Sequence, residues 1–400
     1  MGSNRAGAVK TALAYTGGTA GKADASKTPI VIGWMNQDSG GASAVPWYSE
    51  SVRTAVKFLN DELGGIDGHP LKLKECIVGT DPEQGQACAQ RFLNDDAIKV
   101  MFAGEASGAQ ASFMAGIGNS NKPFVGLSPL APDEAKLKNA FFLRPGFLAL
   151  GAQVTYMRDY AKVKSVSNIN LDTPELRGFA EVYTHIFKAG GINLHTAFLK
   201  PDAPDALAPL VAGKVQQSEG IENNAGTAQA CITAYKALKQ LGSADKPTLA
   251  FPGCLDPSVK KTLGDYPKGW TYFQEYQSVN RPDPTGQVGT FLYALNKYAP
   301  TQVANVKDQF GAPAAFGGVL TIAKWLREKG PDNISLATFK EAADSDPGPL
   351  FLGQPKVSFG KQPYPALAGL GNRFFTYLGD GKWKDATDGK WVYPIPGTTF

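Results

Sequence analysis

Short apolar runs alternate with helical spacings along most of this chain, and that alternation limits its fold more than any other feature. Ile30–Met35 is one such run, rich in β-branched residues, and reads as a buried strand. Val52, Ala55, Val56, Leu59 and Leu63 then recur at helical spacing, and Gly64-Gly65 stops that helix. Leu71–Lys74 alternates like a strand, and Asp81-Pro82-Glu83 opens the next helix. Lys99–Gly104 and Pro123–Leu127 are strand-like. The rhythm returns in the second half. Strands are expected over Val163–Ile169, Asn193–Leu199, Thr248–Phe251 and Gly269–Phe273, with helices over Glu175–Lys188 and Ala228–Leu241. Strands alternating with helices predict parallel sheets wrapped on both faces, and two such runs predict two doubly wound lobes. Ligands in such folds lie beyond the carboxyl ends of the strands. The loops that matter are therefore Trp34–Tyr48, Gly104–Ala109, Ser128–Pro132, Asn170–Arg177, Asn223–Ala228 and Gly253–Asp256.

Composition narrows the function. The chain has 400 residues, 43% of them hydrophobic, enough for a large core. Its net charge of +4 is weak, and no Lys/Arg-rich run occurs, so a nucleic-acid partner is not expected. No window approaches 18 consecutive apolar residues, so no membrane span is expected. Gly 45 and Pro 28 make 73 of 400 residues, an excess that fits many turns. Residues 1–28 hold no apolar signal-peptide core and read as a flexible N-terminal tether, as in an exported protein whose signal peptide has been removed. A lipid anchor on that tether is one possible form.

Four cysteines, Cys76, Cys88, Cys231 and Cys254, fall into two local pairs without C-x-x-C or nearby histidine, which argues against a metal site. Two disulfides in an extracytoplasmic protein fit this pattern; four free thiols in a cytosolic one are the alternative. Closing the Cys76–Cys88 loop would stabilise by roughly 3 kcal/mol.

Catalytic signatures are missing. There is no Walker A loop, no H-E-x-x-H and no G-x-S-x-G, and the three histidines, His69, His185 and His195, stand apart. No cofactor and no enzyme activity are expected. Polar small-residue loops do recur at strand ends: Ser39-Gly40-Gly41, Ser107-Gly108 and Ser128-Pro129. Their hydroxyls and backbone N–H groups suit a carboxylate or amide.

A resemblance joins these parts. Ile30–Met35, Ser39-Gly40 and the segment Asn60-Asp61-Glu62-Leu63-Gly64-Gly65-Ile66-Asp67-Gly68-His69-Pro70-Leu71 resemble the opening of type I periplasmic-type solute-binding proteins. Within that family they are similar to the leucine/isoleucine/valine-, amide- and aromatic-compound-binding proteins of ABC importers. Asp81–Gln84, Lys122–Pro129, Phe142-Leu143-Arg144 and Gly379–Trp383 match the same pattern, whereas Asp202–Glu222 matches poorly. The resemblance implies two α/β lobes joined by three crossovers near 147, 277 and 352. Residues 29–147 plus 278–352 would form lobe 1, and 148–277 plus 353–400 lobe 2. It implies a small organic ligand held in the cleft by hinge closure, an ABC importer permease as partner, an extracytoplasmic location and a monomer. The Cys76–Cys88 region also matches a place where members often carry a disulfide.

Carried over by position, Ser107 and the Ser128–Pro132 loop, with Leu130, would hold the ligand head group. Ser39, Trp47 and Tyr48 would cover it. Asn170, Asp172, Thr173, Thr227, Gly253 and Cys254 would close from the second lobe. Branched-chain amino-acid binders grip the ammonium with carboxylates, but the corresponding positions here fall near Ala149 and Cys254. Glu105, Asp172 and Glu275 are the carboxylates that could substitute. The expected ligand is amino-acid-like, an amide, or an apolar or aromatic acid, with a plain α-amino acid disfavoured because burying an unpaired ammonium is costly. A ligand-sensing regulatory module of the same fold, or a hydrolytic enzyme on an α/β scaffold, would be the alternatives.

Overall fold

The computed structural model describes residues 4–40, 44–118, 120–200, 203–277, 279, 283 and 285–399. Contacts divide the chain into two units, Met1–Gly146 with Tyr276–Gly369, and Phe147–Glu275 with Leu370–Phe400.

Unit 1 starts with α1 (Arg5–Thr16), followed by β1 (Ile30–Gln37), α2 (Pro46–Glu62), β2 (Leu71–Val78), α3 (Pro82–Leu93), β3 (Ile98–Ala103), α4 (Gln110–Ile117), β4 (Phe124–Gly126) and β5 (Ala140–Phe142). Unit 2 continues with α5 (Leu150–Asp159), β6 (Ser165–Leu171), α6 (Pro174–Ala189), β7 (Asn193–Leu199), α7 (Leu207–Ala212), β8 (Gly220–Asn224), α8 (Ala228–Gln240), β9 (Thr248–Ala250), α9 (Pro257–Leu263) and β10 (Trp270–Gln274). The chain returns to unit 1 for α10 (Gln287–Tyr298), α11 (Val303–Val306), α12 (Ala312–Lys329) and α13 (Leu336–Ser345). It ends in unit 2 with the hairpin β11 (Arg373–Gly379) and β12 (Lys382–Asp385).

The unit 1 sheet is parallel throughout, in the order β2-β1-β3-β4-β5. In unit 2 the order is β12-β11-β10-β9-β8-β6-β7; β6 to β10 are parallel, and the hairpin adds antiparallel strands at the edge. Read from β6, the parallel part of unit 2 repeats the strand order of unit 1. Both are doubly wound. β1 is buried along its whole length, as a strand covered on both faces must be. Trp34, Phe58, Phe102, Phe316 and Trp325 anchor the unit 1 core. Burying side chains of this size is worth about 2–3 kcal/mol each before entropy is subtracted.

Two expectations need correction. Part of the expected 1–28 tether is helix α1. Ala8, Val9, Ala12 and Thr16 form a buried stripe, and the helix packs against α10 and α12. The Asn4 side chain accepts from Gly7 N–H at 2.8 Å, and Gly17, with φ 69°, ends the helix. Arg327 then binds the Thr16 carbonyl at 3.2 Å and the Leu63 carbonyl at 2.8 Å. Small residues hide this stripe in a Gly/Ala/Thr-rich sequence. The third crossover falls after Gly369 rather than near 352. Leu350, Phe351, Leu352, Phe359 and Ala368 belong to the unit 1 core. The backbone beyond them runs beside β5, where Phe142 N–H donates to Ala366 and Ala368 N–H to Phe142. The chain re-enters unit 1 at Tyr276; Ser278, the expected start, lies outside the described residues.

Each unit carries a disulfide. Cys76–Cys88 joins β2 to α3, and Cys231–Cys254 joins α8 to the 3-10 turn Pro252–Leu255 after β9. No helix among the described residues is long and apolar enough to cross a membrane.

One carboxylate ties α1 to its neighbours. The Glu62 side chain is only 2% exposed. It accepts from Arg5 Nε at 2.9 Å, from Tyr298 Oη at 3.3 Å and from Lys297. Burial alone would raise its pKa, but the Arg5 and Lys297 hydrogen bonds outweigh that and hold it below its ordinary 4.5. A lowered folded-state pKa gives stability that is present above the unfolded value and is lost as pH falls through the folded one. Hydrogen-exchange protection of α1 is therefore expected to weaken below about pH 4.5. Glu62→Gln should already show weakened α1 protection at pH 7. Equal protection in both proteins at both pH values would refute this role.

Candidate functional site

Each sheet reverses its winding beside its first strand, between β1 and β3 in unit 1 and between β6 and β8 in unit 2. A crevice opens at such a switch point beyond the carboxyl ends. Most of the polar side chains expected to bind ligand stand at or near these two places.

In unit 1, Asn36 bridges the two strand ends. Its Nδ2 donates to Asp38 Oδ1 at 2.6 Å and to the Val45 carbonyl at 2.9 Å, and its Oδ1 accepts from Glu105 N–H at 3.2 Å. Gly104 permits that approach, because a Cβ there would lie 2.0 Å from Asn36 Oδ1. Ser49, on α2, donates to Asp38 at 2.7 Å and accepts from Trp34 Nε1 at 2.9 Å. Burial pushes the Asp38 carboxyl up, and the Ser49 and Asn36 donors pull it partly back.

Beside this lies a charged centre. Arg144, just after β5, is 1% exposed and pairs with Glu105 at 3.2 Å. It donates to Tyr48 Oη at 3.2 Å and stands 4.5 Å from the Phe310 ring centroid and 5.6 Å from that of Tyr276. Ser128 Oγ donates to the same Glu105 oxygen at 2.7 Å. Trp47 turns its Nε1 to the Phe310 carbonyl at 2.9 Å and meets Tyr48 edge to face. Burial lifts the Tyr48 phenol well above its usual pKa, so it stays neutral. Ser107 is exposed and donates to Gln37 Oε1 at 3.1 Å. Ser39 is also exposed on the loop after β1; Gly41 of that loop lies outside the described residues.

Leu130 does not offer its amide as expected. Its N–H donates to Glu134 Oε2 at 2.8 Å, and Gln110 holds the same carboxylate. The loop after β4 is thus organised around an internal anion, Glu134, whose pKa burial raises.

In unit 2, Thr173 and Thr227 cap α6 and α8, accepting from Leu176 N–H at 3.3 Å and Ala230 N–H at 3.2 Å. Asp172 pairs with Arg177, which lies over the Phe198 ring at 4.4 Å, and the hydrogen bond from Arg177 holds the Asp172 pKa below its usual range. Gly253 lets the loops after β8 and β9 meet: a Cβ there would lie 2.8 Å from the Gly226 carbonyl. Cys254 is fully buried and disulfide-bonded, so it presents no thiol. Asn170 lies within a buried chain, donating to Asn168, which donates to Glu222 Oε2 at 2.6 Å. Burial raises the Glu222 pKa to about 7, against the pull of Asn168 and Asn224.

Sequence reasoning missed Arg144, Asp38, Ser49 and Glu222 as site or support residues. A single arginine inside the apolar stretch Phe141–Phe147 was the available signal for Arg144. Glu222 fell in the poorly matched segment.

This fold and these strand ends define a ligand-binding protein built from two doubly wound units. The chain belongs to the periplasmic binding protein family, whose model, described as "Periplasmic binding protein", matches residues 29–358. Solved structures share the fold over nearly the whole chain. A fatty acid ABC transporter substrate-binding protein from Thermomonospora curvata is 14% identical, with 96% of each chain covered and a TM-score of 0.71. A branched-chain amino acid transporter substrate binding protein from Streptococcus pneumoniae, in complex with isoleucine, is 17% identical, covering 92% of this chain and all of that one, with a TM-score of 0.70. A leucine binding protein from Thermotoga maritima is 13% identical, covering 91% and 99%, with a TM-score of 0.69. No curated protein matches the chain.

Proposed function

We propose that this chain is the extracytoplasmic solute-binding component of an ABC importer. It captures a small organic ligand at the strand ends of its two units by hinge closure, the motion general to periplasmic binding proteins, and passes it to a membrane permease. The two disulfides suit an oxidising compartment. All four cysteines are tied up in them, which leaves no thiol nucleophile.

One observation carries the ligand class. Of Glu105, Asp172 and Glu275, which could have taken a ligand ammonium, the first two already face Arg144 and Arg177, and Glu275 is 2% exposed. Ala149 and the disulfide-bonded Cys254 stand near the positions where the resemblance to branched-chain amino-acid binders places acidic groups. An ammonium placed there would compete with two guanidinium groups, whereas a carboxylate or amide would not. Tyr48, Trp47 and Phe310 supply aromatic surface beside Arg144. The reading is therefore an apolar or aromatic acid, or an amide, rather than a plain α-amino acid.

A thermal-shift screen tests it. Ligand at a hundred times its Kd should stabilise the native state by about 2.7 kcal/mol. Aromatic and aliphatic acids or amides are expected to raise the melting temperature, and leucine, isoleucine and valine are not. Saturable stabilisation by those amino acids alone would overturn the ligand class.

A further inference from the structure

An open cavity lies in unit 1, at the ends of the strands opposite the Arg144 cluster. About 780 Å³ in volume, it is bounded by the segment before β5, the start of β5, the first turns of α13 and the loop at 360–365. Ala140, which lines it, is the first residue of β5 and pairs with Phe124, the first of β4. The cavity therefore sits at the amino ends of these strands, away from the carboxyl-end cluster around Arg144.

Its size falls within the range of small-molecule sites, which are mostly apolar with a few convergent polar groups. Leu137, Phe141, Leu336 and Pro365 supply the apolar walls. Phe141 turns its ring into the core against Trp325, Phe339 and Phe359 and is 1% exposed, so the half-buried Leu137, Leu336 and Pro365 present most of the apolar surface. Lys136, Lys138 and Lys340 line the cavity, and no acidic residue does. Lys136 is paired with Asp133 at 3.0 Å and Lys340 with Asp344 at 2.6 Å, both outside the lining. Lys138 is exposed and makes no ion pair among the described residues. Asn121, Ser335 and Gln362 add neutral polar groups to the lining, and apolar walls beside a cation not neutralised by an ion pair favour a single negative charge on a hydrophobic body.

We propose that this cavity is a second binding site, for a small anionic amphiphile such as a medium-chain carboxylate. The tail lies along Leu137, Leu336 and Pro365, and the head group meets Lys138. The site stands apart from the strand-end cluster and does not depend on the importer reading.

Calorimetric titration with decanoate tests it, with decylammonium as the charge-reversed control. Lys138→Glu reverses the head-group charge, and Ala337→Trp fills the cavity from an exposed position that tolerates the larger side chain. Decanoate is expected to bind saturably and at least about tenfold more tightly than decylammonium, and Lys138→Glu should weaken it about tenfold or more. Ala337→Trp should abolish the component of decanoate binding that Lys138→Glu weakens, any decanoate held at the strand ends should be the same in all three proteins, and both variants should keep the wild-type melting temperature. Decanoate bound equally by all three proteins would place the acid at the strand-end site and overturn the proposal. So would no binding at millimolar concentration, or decylammonium binding as tightly as decanoate.

Discussion

Arg144→Ala is expected to destabilise unit 1 by roughly 3 to 4 kcal/mol and to weaken capture of an acidic or amide ligand. Removing one partner of a buried ion pair leaves the other uncompensated, typically at a cost of 3–5 kcal/mol. Glu105 keeps some exposure, which places the effect towards the lower end. The guanidinium also lies against Phe310 and Tyr276 and binds Tyr48 Oη, so truncation opens a void among three aromatic rings. Arg144→Lys keeps the charge but loses the planar fork and the stacking, and should fall between wild type and alanine. The double variant Glu105→Gln with Arg144→Met removes both charges at similar volume and should recover much of the loss. Urea denaturation of all four proteins measures this. A loss below 1 kcal/mol for Arg144→Ala would show that the charged centre contributes little to the fold.

Glu222→Gln should stabilise unit 2 at neutral and higher pH by up to roughly 3 kcal/mol and leave stability at pH 4 nearly unchanged. Glu222 is wholly buried on β8, with Asn168 as donor to one oxygen, while its Oε1 makes no hydrogen bond among the described residues. Its folded pKa of about 7 lies above the ordinary 4.5. The unfolded chain therefore releases this proton at lower pH than the folded one. Stability is full below about pH 4.5, falls as pH rises towards 7, and levels off above. At 1.36 kcal/mol per unit, that interval gives the magnitude stated. Glutamine keeps an oxygen for Asn168 and cannot ionise. Unfolding free energies of both proteins from pH 4 to 8 check it. Parallel curves would show that Glu222 titrates as an ordinary carboxyl.

Much of this architecture was legible in the residues. Ile30–Met35 had to be a covered strand because a continuous β-branched run has no polar face to turn to water. Gly64-Gly65 had to stop a helix. Pairing within each cysteine doublet followed from an even count in two local groups. The loops bearing Ser39, Ser107, Ser128, Asn170 and Thr227 could be named because parallel sheets place their ligand loops after strands.

Other features were not legible because they depend on distant partners. Helix α1 hides in a Gly/Ala-rich segment, since its stripe of small residues becomes apolar surface only against α10 and α12. Residues 353–369 read as the start of the last segment, yet they complete the unit 1 core beside β5. Leu130 looked like an anion donor, but Glu134 occupies its amide.

The sequence by itself determined the class of fold, the loops that follow its strands and the lack of a catalytic signature, because hydrophobic period, turn residues and strand-end polarity are local properties. Only the tertiary structure decided the charge state of the site. Whether Glu105 and Asp172 can receive a ligand cation depends on Arg144 and Arg177. The Arg144–Glu105 pair forms only when the ends of β3 and β5 are set in one sheet. Burial likewise turns Glu222 from a surface acid into a group that titrates near neutrality. Such properties belong to the assembled surroundings of a side chain.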